Sequence, residues 1–265
     1  MLGEVLSPRT LNFTWPQLLT TAACLCLLCG FAACNQQPAT DETPAASPSE
    51  QVDSEKESRV LRHAVFFKFK DTSSDEDVQQ VVEAFRALPT KIPEIKALQS
   101  GINNSPEGLD DGFTHCFLLT FANEAGRQAY LPHPEHKAFG DVLRPHMDKV
   151  FVLDYWGNPS KEASAPELKH AVFFKFKEDA SEEAVKSIEE GFAALPEKID
   201  TIKDFEWGEN NSPESHDAGF THCFMVTFES EEGRATYLPH SAHQAFVKEL
   251  QPVLDKVRVL DFWGS

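Results

Sequence analysis

The sequence predicts an α+β protein in which one β-α-β-β-α-β unit is written twice in a single chain. Three observations carry this. LRHAVFFKFK at Leu61 recurs as LKHAVFFKFK at Leu168, and the offset of 107 then holds without a gap, with 56 of the 97 positions from Leu61 to Gly157 identical in the second copy. Within each copy, runs rich in aromatic and β-branched residues alternate with amphipathic stretches, the patterns of strands and helices. A sheet with helices on one face leaves the other face bare, and here that second face carries Ala64, Phe66, Lys68 and Lys70 on the first strand and Cys116, Leu118 and Thr120 on the third, so the other copy is expected to cover it.

The elements follow in order. HAVFFKFK reads as the first strand and SSDEDVQQVVEAFRAL as a helix with Val78, Val81, Val82, Phe85 and Leu88 on its apolar face. Ser74 is its expected N-cap, with Asp77 in the capping-box position and Pro89 as the stop. IKALQSGIN is a second strand, NSPEGLDDG a turn-rich loop and FTHCFLLTF a third strand. NEAGRQAYL and PEHKAFGDVLRPH read as two pieces of a second helix broken at Pro132 and Pro134, and KVFVLDYW closes the unit. This order describes a ferredoxin-like unit, a four-stranded antiparallel sheet with helices on one face. Alternation along the strands puts His63, Val65, Phe67 and Phe69, with His115, Phe117, Leu119 and Phe121, toward the helices. The two units, residues 61–157 and 168–264, are therefore expected to meet sheet to sheet as a dimeric α/β-barrel-like pair within one chain. The linker of about ten residues, 158–167, spans at most about 35 Å. A pair formed internally predicts a monomer.

The chain holds 24 Lys plus Arg against 42 Asp plus Glu, a formal charge of −18. That balance excludes an electrostatic nucleic-acid binder, which needs a basic surface. Of six cysteines, Cys24, Cys26, Cys29 and Cys34 fall in the first 34 residues, leaving Cys116 and Cys223. No disulfide framework or Cys-based zinc site follows from that distribution. Cys116 and Cys223 are expected on the faces where the units meet, as buried thiols, or as a bridge if their Cα atoms lie within about 7 Å.

Residues 1–34 read as a leader. LLTTAACLCLLCGFAA, Leu18 to Ala33, is apolar for 16 residues, short for a membrane span, which needs about 20. Its Phe-Ala-Ala-Cys end resembles a bacterial lipobox, with Cys34 as the acylated residue; a cleaved secretory signal and an uncleaved anchor are the alternatives. All three export the protein, and the lipoprotein reading places it in the cell envelope, membrane-anchored and facing the periplasm or the exterior. Residues 35–60, rich in Pro, Ala, Ser, Glu and Asp, read as a disordered tether.

Ten histidines are present, and eight form pairs at the repeat offset: His63 with His170, His115 with His222, His133 with His240 and His136 with His243. Tyr130 and Tyr237 travel with them. If the Pro-bounded kink aims Tyr130 and His136 inward over the strand of His63, a phenol beside neutral imidazoles in an apolar pocket becomes an acid and base pair for proton transfer next to a carbonyl. Structural roles are open for the same residues: His63 and His115 as core groups, His133 as a helix cap. The His-x-x-His spacing of His133 and His136 lacks a completing ligand set, so no metal or cofactor is expected. Asn103-Asn104-Ser105 and Asn210-Asn211-Ser212 read as turn residues.

The combination His-x-x-x-x-Lys-Phe-Lys, Gly-x-Asn-x-Ser, Phe-Thr-His, Tyr-x-x-His-x-x-His and a closing Val-x-Asp resembles the stress-responsive A/B barrel family, the Dabb domains, over nearly all of both copies. The resemblance implies a dimeric α+β barrel. Polyketide-cyclase members of that family use a Tyr and a His of this stretch as acid and base in an aldol closure. By resemblance those catalytic roles fall on Tyr130 with His136 and on Tyr237 with His243, and pocket-lining, ligand-binding roles on His63, His115, His170 and His222; His133 and His240 are further ligand-binding candidates from their place at the helix start. The first functional reading is an exported, membrane-tethered stress-response module that holds a small apolar ligand or associates with other proteins. The alternative is a cofactor-independent acid/base enzyme, an aldol cyclase or isomerase. A purely architectural role would instead predict a filled interior beside Tyr130.

Overall fold

The computed structural model describes residues 59–159 and 166–264. The leader with Cys34, nearly all of the tether and most of the linker lie outside these residues. No helix among the described residues is long and apolar enough to cross a membrane.

In the first copy β1 (Val60–Phe69) leads into α1 (Asp75–Arg86), a short α2 (Leu88–Lys91), β2 (Ile95–Ile102), β3 (His115–Phe121), α3 (Glu124–Tyr130), α4 (Pro134–Leu143) and β4 (Met147–Gly157). The second copy gives β5 (Glu167–Phe176), α5 (Glu182–Ala193), β6 (Asp204–Glu209), β7 (His222–Phe228), α6 (Glu231–Tyr237), α7 (Ser241–Leu250) and β8 (Leu254–Gly264). Each copy forms an antiparallel four-stranded sheet, in the orders β2-β3-β1-β4 and β6-β7-β5-β8. This is the ferredoxin-like arrangement expected from the sequence.

Local chemistry sets the boundaries. Ser74 caps α1 in a full capping box, its hydroxyl accepting from Asp77 N while Asp77 Oδ2 accepts from Ser74 N. Pro89 does not act as the stop. The helix ends at Arg86, and Pro89 sits in the first turn of α2, where its missing N–H costs nothing. The second helical segment breaks between Tyr130 and Pro134 as expected, but α4 ends at Leu143, short of His146: Arg144 keeps helical φ and ψ as the C-cap, and Pro145 has no N–H to continue the ladder.

The strand faces divide the core in three. Val65, Phe67, Phe117, Leu119 and Phe121 pack under α1, α3 and α4 with Phe85, Tyr130 and Phe139, and the second copy repeats this with Val172, Phe174, Phe224, Phe192 and Phe246. Between the two sheets, Ala64, Phe66, Cys116 and Leu118 meet Ala171, Phe173, Cys223 and Met225. Both cysteines are buried and free. The sheet edges also meet, β2 beside β8 and β4 beside β6.

The interface is not symmetric, although the fold is. Phe151 and Arg258 occupy equivalent positions, and the Arg258 guanidinium lies 4.3 Å from the Phe151 ring centroid while Nη2 donates to Asp111 Oδ2 at 2.5 Å. Ala218 stands at the position equivalent to Asp111. At the β4–β6 edge Glu206 accepts from Arg62 Nε at 2.9 Å, from Tyr155 Oη at 2.9 Å and from Asn158 N at 3.0 Å. Its counterpart is Gln99, and those of Arg62 and Tyr155 are Lys169 and Phe262.

Candidate active site

The site in the first copy is built on β1. His63 faces the helices and sits directly opposite Asp154 of β4 in the strand register. Its Nδ1 lies 2.6 Å from Asp154 Oδ1, and Arg127 of α3 donates from Nη1 to Asp154 Oδ2 at 2.7 Å. All three side chains are buried. Burial opposes protonation of His63, but the charge and hydrogen bond of Asp154, with Glu214 beyond, outweigh it and hold the imidazole above the ordinary histidine range. Burial likewise opposes ionisation of Asp154, and His63 and Arg127 reverse the sign, keeping it below the usual carboxylate range. The second copy repeats this with His170, Asp261 and Arg234.

Tyr130 closes α3 with its ring fully buried. Its ring meets His63 edge-on at 5.7 Å between centroids and lies under the His136 ring at 4.2 Å. The hydroxyl is buried and has no hydrogen-bond partner among the described residues. Burial, then the charges of Glu214 and Asp154, push the phenol well above its usual range, so it is a proton donor and not a phenolate. The break after α3 positions His136 in the first turns of α4, where its Nδ1 lies 3.0 Å from the Leu131 carbonyl. That contact requires Nδ1 to carry the proton, leaving Nε2 as the basic nitrogen. Burial holds His136 below the ordinary histidine range, only partly offset by the Leu131 bond, so it is neutral near pH 7.

These groups line a cavity of about 550 Å³ walled by Val65, Phe67, Phe85 and Phe139. The aromatic core packs beside this space without filling it. Tyr237, His243 and His170 line the equivalent cavity of about 240 Å³ in the second copy.

Four expected ligand-binding histidines do not join these cavities. β1 runs antiparallel to β3, so His115 pairs with Phe67, four residues along β1 from His63, roughly 13 Å at strand rise. It stands edge-on to Phe69 beside a separate hollow of about 120 Å³. His222 likewise contacts Phe176 and bonds Glu189 Oε1 through Nε2 at 2.9 Å. His133 and His240 are helix N-caps, accepting through Nδ1 from the backbone of Glu135 and Ala242. Among the described residues, Glu189, Glu209 and His222 bring three ligand atoms within 4.8 Å. The first copy has Val82 and Ile102 in place of the two acids, and the hydrogen bond to Glu189 already accounts for His222.

Several participants were not singled out from the sequence. Glu214, on the loop between β6 and β7, reaches into the first cavity, with Oε2 at 3.7 Å from His63 Nε2. Glu107 enters the second cavity in the same way, 3.9 Å from His170 Nδ1. The paired asparagines do make turns, but they also clasp the copies together. Asn211 Oδ1 accepts from Arg127 at 2.6 Å and Asn210 Oδ1 from the Asp154 backbone at 3.2 Å, and Asn104 and Asn103 do the same for Arg234 and Asp261. All of these residues are identical between the copies, and a scan for retained charges and amides as well as retained histidines would have found them.

Residues 61–157 and 168–263 each match the stress responsive A/B barrel domain, Dabb. The chain is 44% identical over 98 residues, 36% of its length, to a stress-response A/B barrel domain-containing protein of Arabidopsis thaliana, covering 84% of that protein. It is 30% identical over 96 residues, again 36% of its length, to olivetolic acid cyclase of Cannabis sativa, covering 95% of it. Among solved structures, an anthrone oxidase-like protein superposes on 78% of this chain and 92% of its own with a TM-score of 0.56 at 10% identity, a likeness of fold alone.

Proposed function

The chain belongs to the stress-responsive A/B barrel (Dabb) family, and from that premise we propose that its first pocket takes a small, largely apolar, carbonyl-bearing molecule and moves a proton on it. The observation that carries this reading is the Tyr130 hydroxyl, buried without a partner at the wall of an open cavity, next to a histidine whose basic nitrogen is fixed by a backbone bond. A side chain kept only for packing gains nothing from an unpartnered buried hydroxyl, which costs about 1–3 kcal/mol.

In this reading Nε2 of His136 accepts a proton from the carbon beside the carbonyl, and the oxygen that gains charge receives a hydrogen bond from Tyr130. The imidazolium then returns the proton, to carbon for isomerisation or to an alkoxide for aldol closure. His63 lies beside Tyr130 with its pKa raised by Asp154, and in its protonated form adds positive charge next to the phenol. A cyclase among the relatives supports a chemical use of such a pocket. Export and tethering through Cys34 are part of the proposal and rest on the leader sequence.

Solvent deuterium exchange tests the chemistry. A panel of aryl methyl ketones and 1,3-diketones is followed by proton NMR in D₂O with the protein present. Acceleration that falls by about 10²-fold or more in Tyr130→Phe and His136→Gln supports the assignment. Binding without acceleration would leave a ligand-holding stress module instead.

A further inference from the structure

We propose that the two pockets have diverged to hold different ligands: the first a larger molecule with an anionic end, the second a smaller and uncharged one. The inference rests on both cavities being ligand sites, not on the proton chemistry.

The acid and base groups are the same in both cavities, yet the volumes are about 550 and 240 Å³. One wall position contributes to the difference. Gly140 lines the first cavity where Val247 lines the second. A Cβ at Gly140 would meet only the Arg144 guanidinium, at 3.9 Å, so the space a valine side chain takes in one copy is open in the other. The mouths differ in charge as well as size. Lys137 and Arg144 line the first, with Asp141 paired to Arg144 at 2.7 Å, and their counterparts in the second copy are the neutral Gln244 and Gln251. His216 lines the first mouth where Leu109 lines the second. Glu214 and Glu107 contribute equally to both, so they do not discriminate. The first pocket therefore joins an apolar interior to a rim carrying Lys137, an imidazole and an Arg144 already paired to Asp141, a set that can receive a carboxylate, sulfonate or phosphate at the end of an apolar body. The second offers only the apolar interior and the common polar groups.

Two fluorescent probes of one skeleton separate these terms: 8-anilinonaphthalene-1-sulfonate and the uncharged N-phenyl-1-naphthylamine, titrated into the purified full chain. The expected result is one strong site for the sulfonate. Gly140→Val weakens that site at least tenfold, while Val247→Gly adds a second site for the neutral probe and none for the sulfonate, because Gln244 and Gln251 carry no charge. Replacing Lys137 and Arg144 by Gln weakens the sulfonate at least tenfold and the neutral probe less than twofold. Each replacement is the residue that the other copy already carries, and thermal melting confirms that the variants fold. Two equal sulfonate sites, no effect of Gly140→Val, equal loss of both probes in the charge variant, or binding of neither probe would overturn the proposal. Deuterium exchange is a separate readout, so its absence with the binding asymmetry intact would remove the chemistry and leave the ligand assignment standing.

Discussion

The carboxylate of Glu214 in the second repeat stands 3.7 Å from Nε2 of His63 in the first. Neither cavity is therefore complete within its own repeat, since Glu107 stands against His170 in the same way.

Replacing Glu214 by Gln removes one of the charges that keep His63 protonated. The His63 ring resonances are expected to titrate at lower pH than in the wild type, with stability changed by less than about 1 kcal/mol because the Glu214 side chain is partly exposed and such pairs contribute little. NMR titration checks this. An unmoved midpoint would mean that Asp154 alone sets the charge of His63.

The pH dependence of turnover should have two limbs. His136 is held below the ordinary histidine pKa by burial, so the base is lost only as pH falls below about 6.5. His63 is held above it, so its positive charge is lost as pH rises past that value. Stability follows the same signs. The His63 contribution is fully present below about pH 6.5 and disappears as pH rises through the folded-state value, while that of Asp154, whose pKa is lowered, is present above about pH 4 and disappears as pH falls. Rate profiles and urea melts across pH 3 to 9 measure both, and a monotonic rate profile would contradict the assignment.

Tyr130→Phe keeps the ring and deletes a hydroxyl that has no partner among the described residues. The variant is expected to be as stable as the wild type or up to about 1 kcal/mol more stable. A loss of several kcal/mol in urea unfolding would show that the hydroxyl holds the core together.

Glu206→Ala leaves Arg62 and Tyr155 without their buried carboxylate and should cost about 3–5 kcal/mol. Because the second repeat covers the first, residues 35–265 are expected to sediment as a monomer. An obligate dimer at micromolar concentration would mean that the pairing of the repeats is not internal.

Cys34→Ala is expected to move the protein from the membrane fraction to the soluble fraction of the cells that make it. Unchanged fractionation would remove the lipid-anchor proposal.

The repeat and the strand alternation made the fold readable, because a sheet buried on both faces must write both faces in apolar residues, and Ala64, Phe66, Cys116 and Leu118 did so. Tyr130 and His136 were readable because the Pro-bounded break fixes where the chain turns inward. His115 misled because alternation gives the face of a strand and not the height along it, and only the register with β1 separates it from His63. Glu214 and the asparagine clasp were missed for a different reason: they act across the pseudo-twofold, so their signal in the sequence is retention in both copies and not a pattern within either repeat.

Arg258 against Phe151 has a meaning beyond packing. When two separate copies of one chain pair, a residue on the axis meets itself, and an arginine there would face another arginine with alanine in place of Asp111. Covalent fusion removes that constraint, because each axial position can change once instead of twice. The second repeat has used this freedom to carry a cation that only the first repeat can accommodate, so the duplication is no longer reversible: released as free subunits, copies of the second repeat would repel at the contact that now joins them to the first.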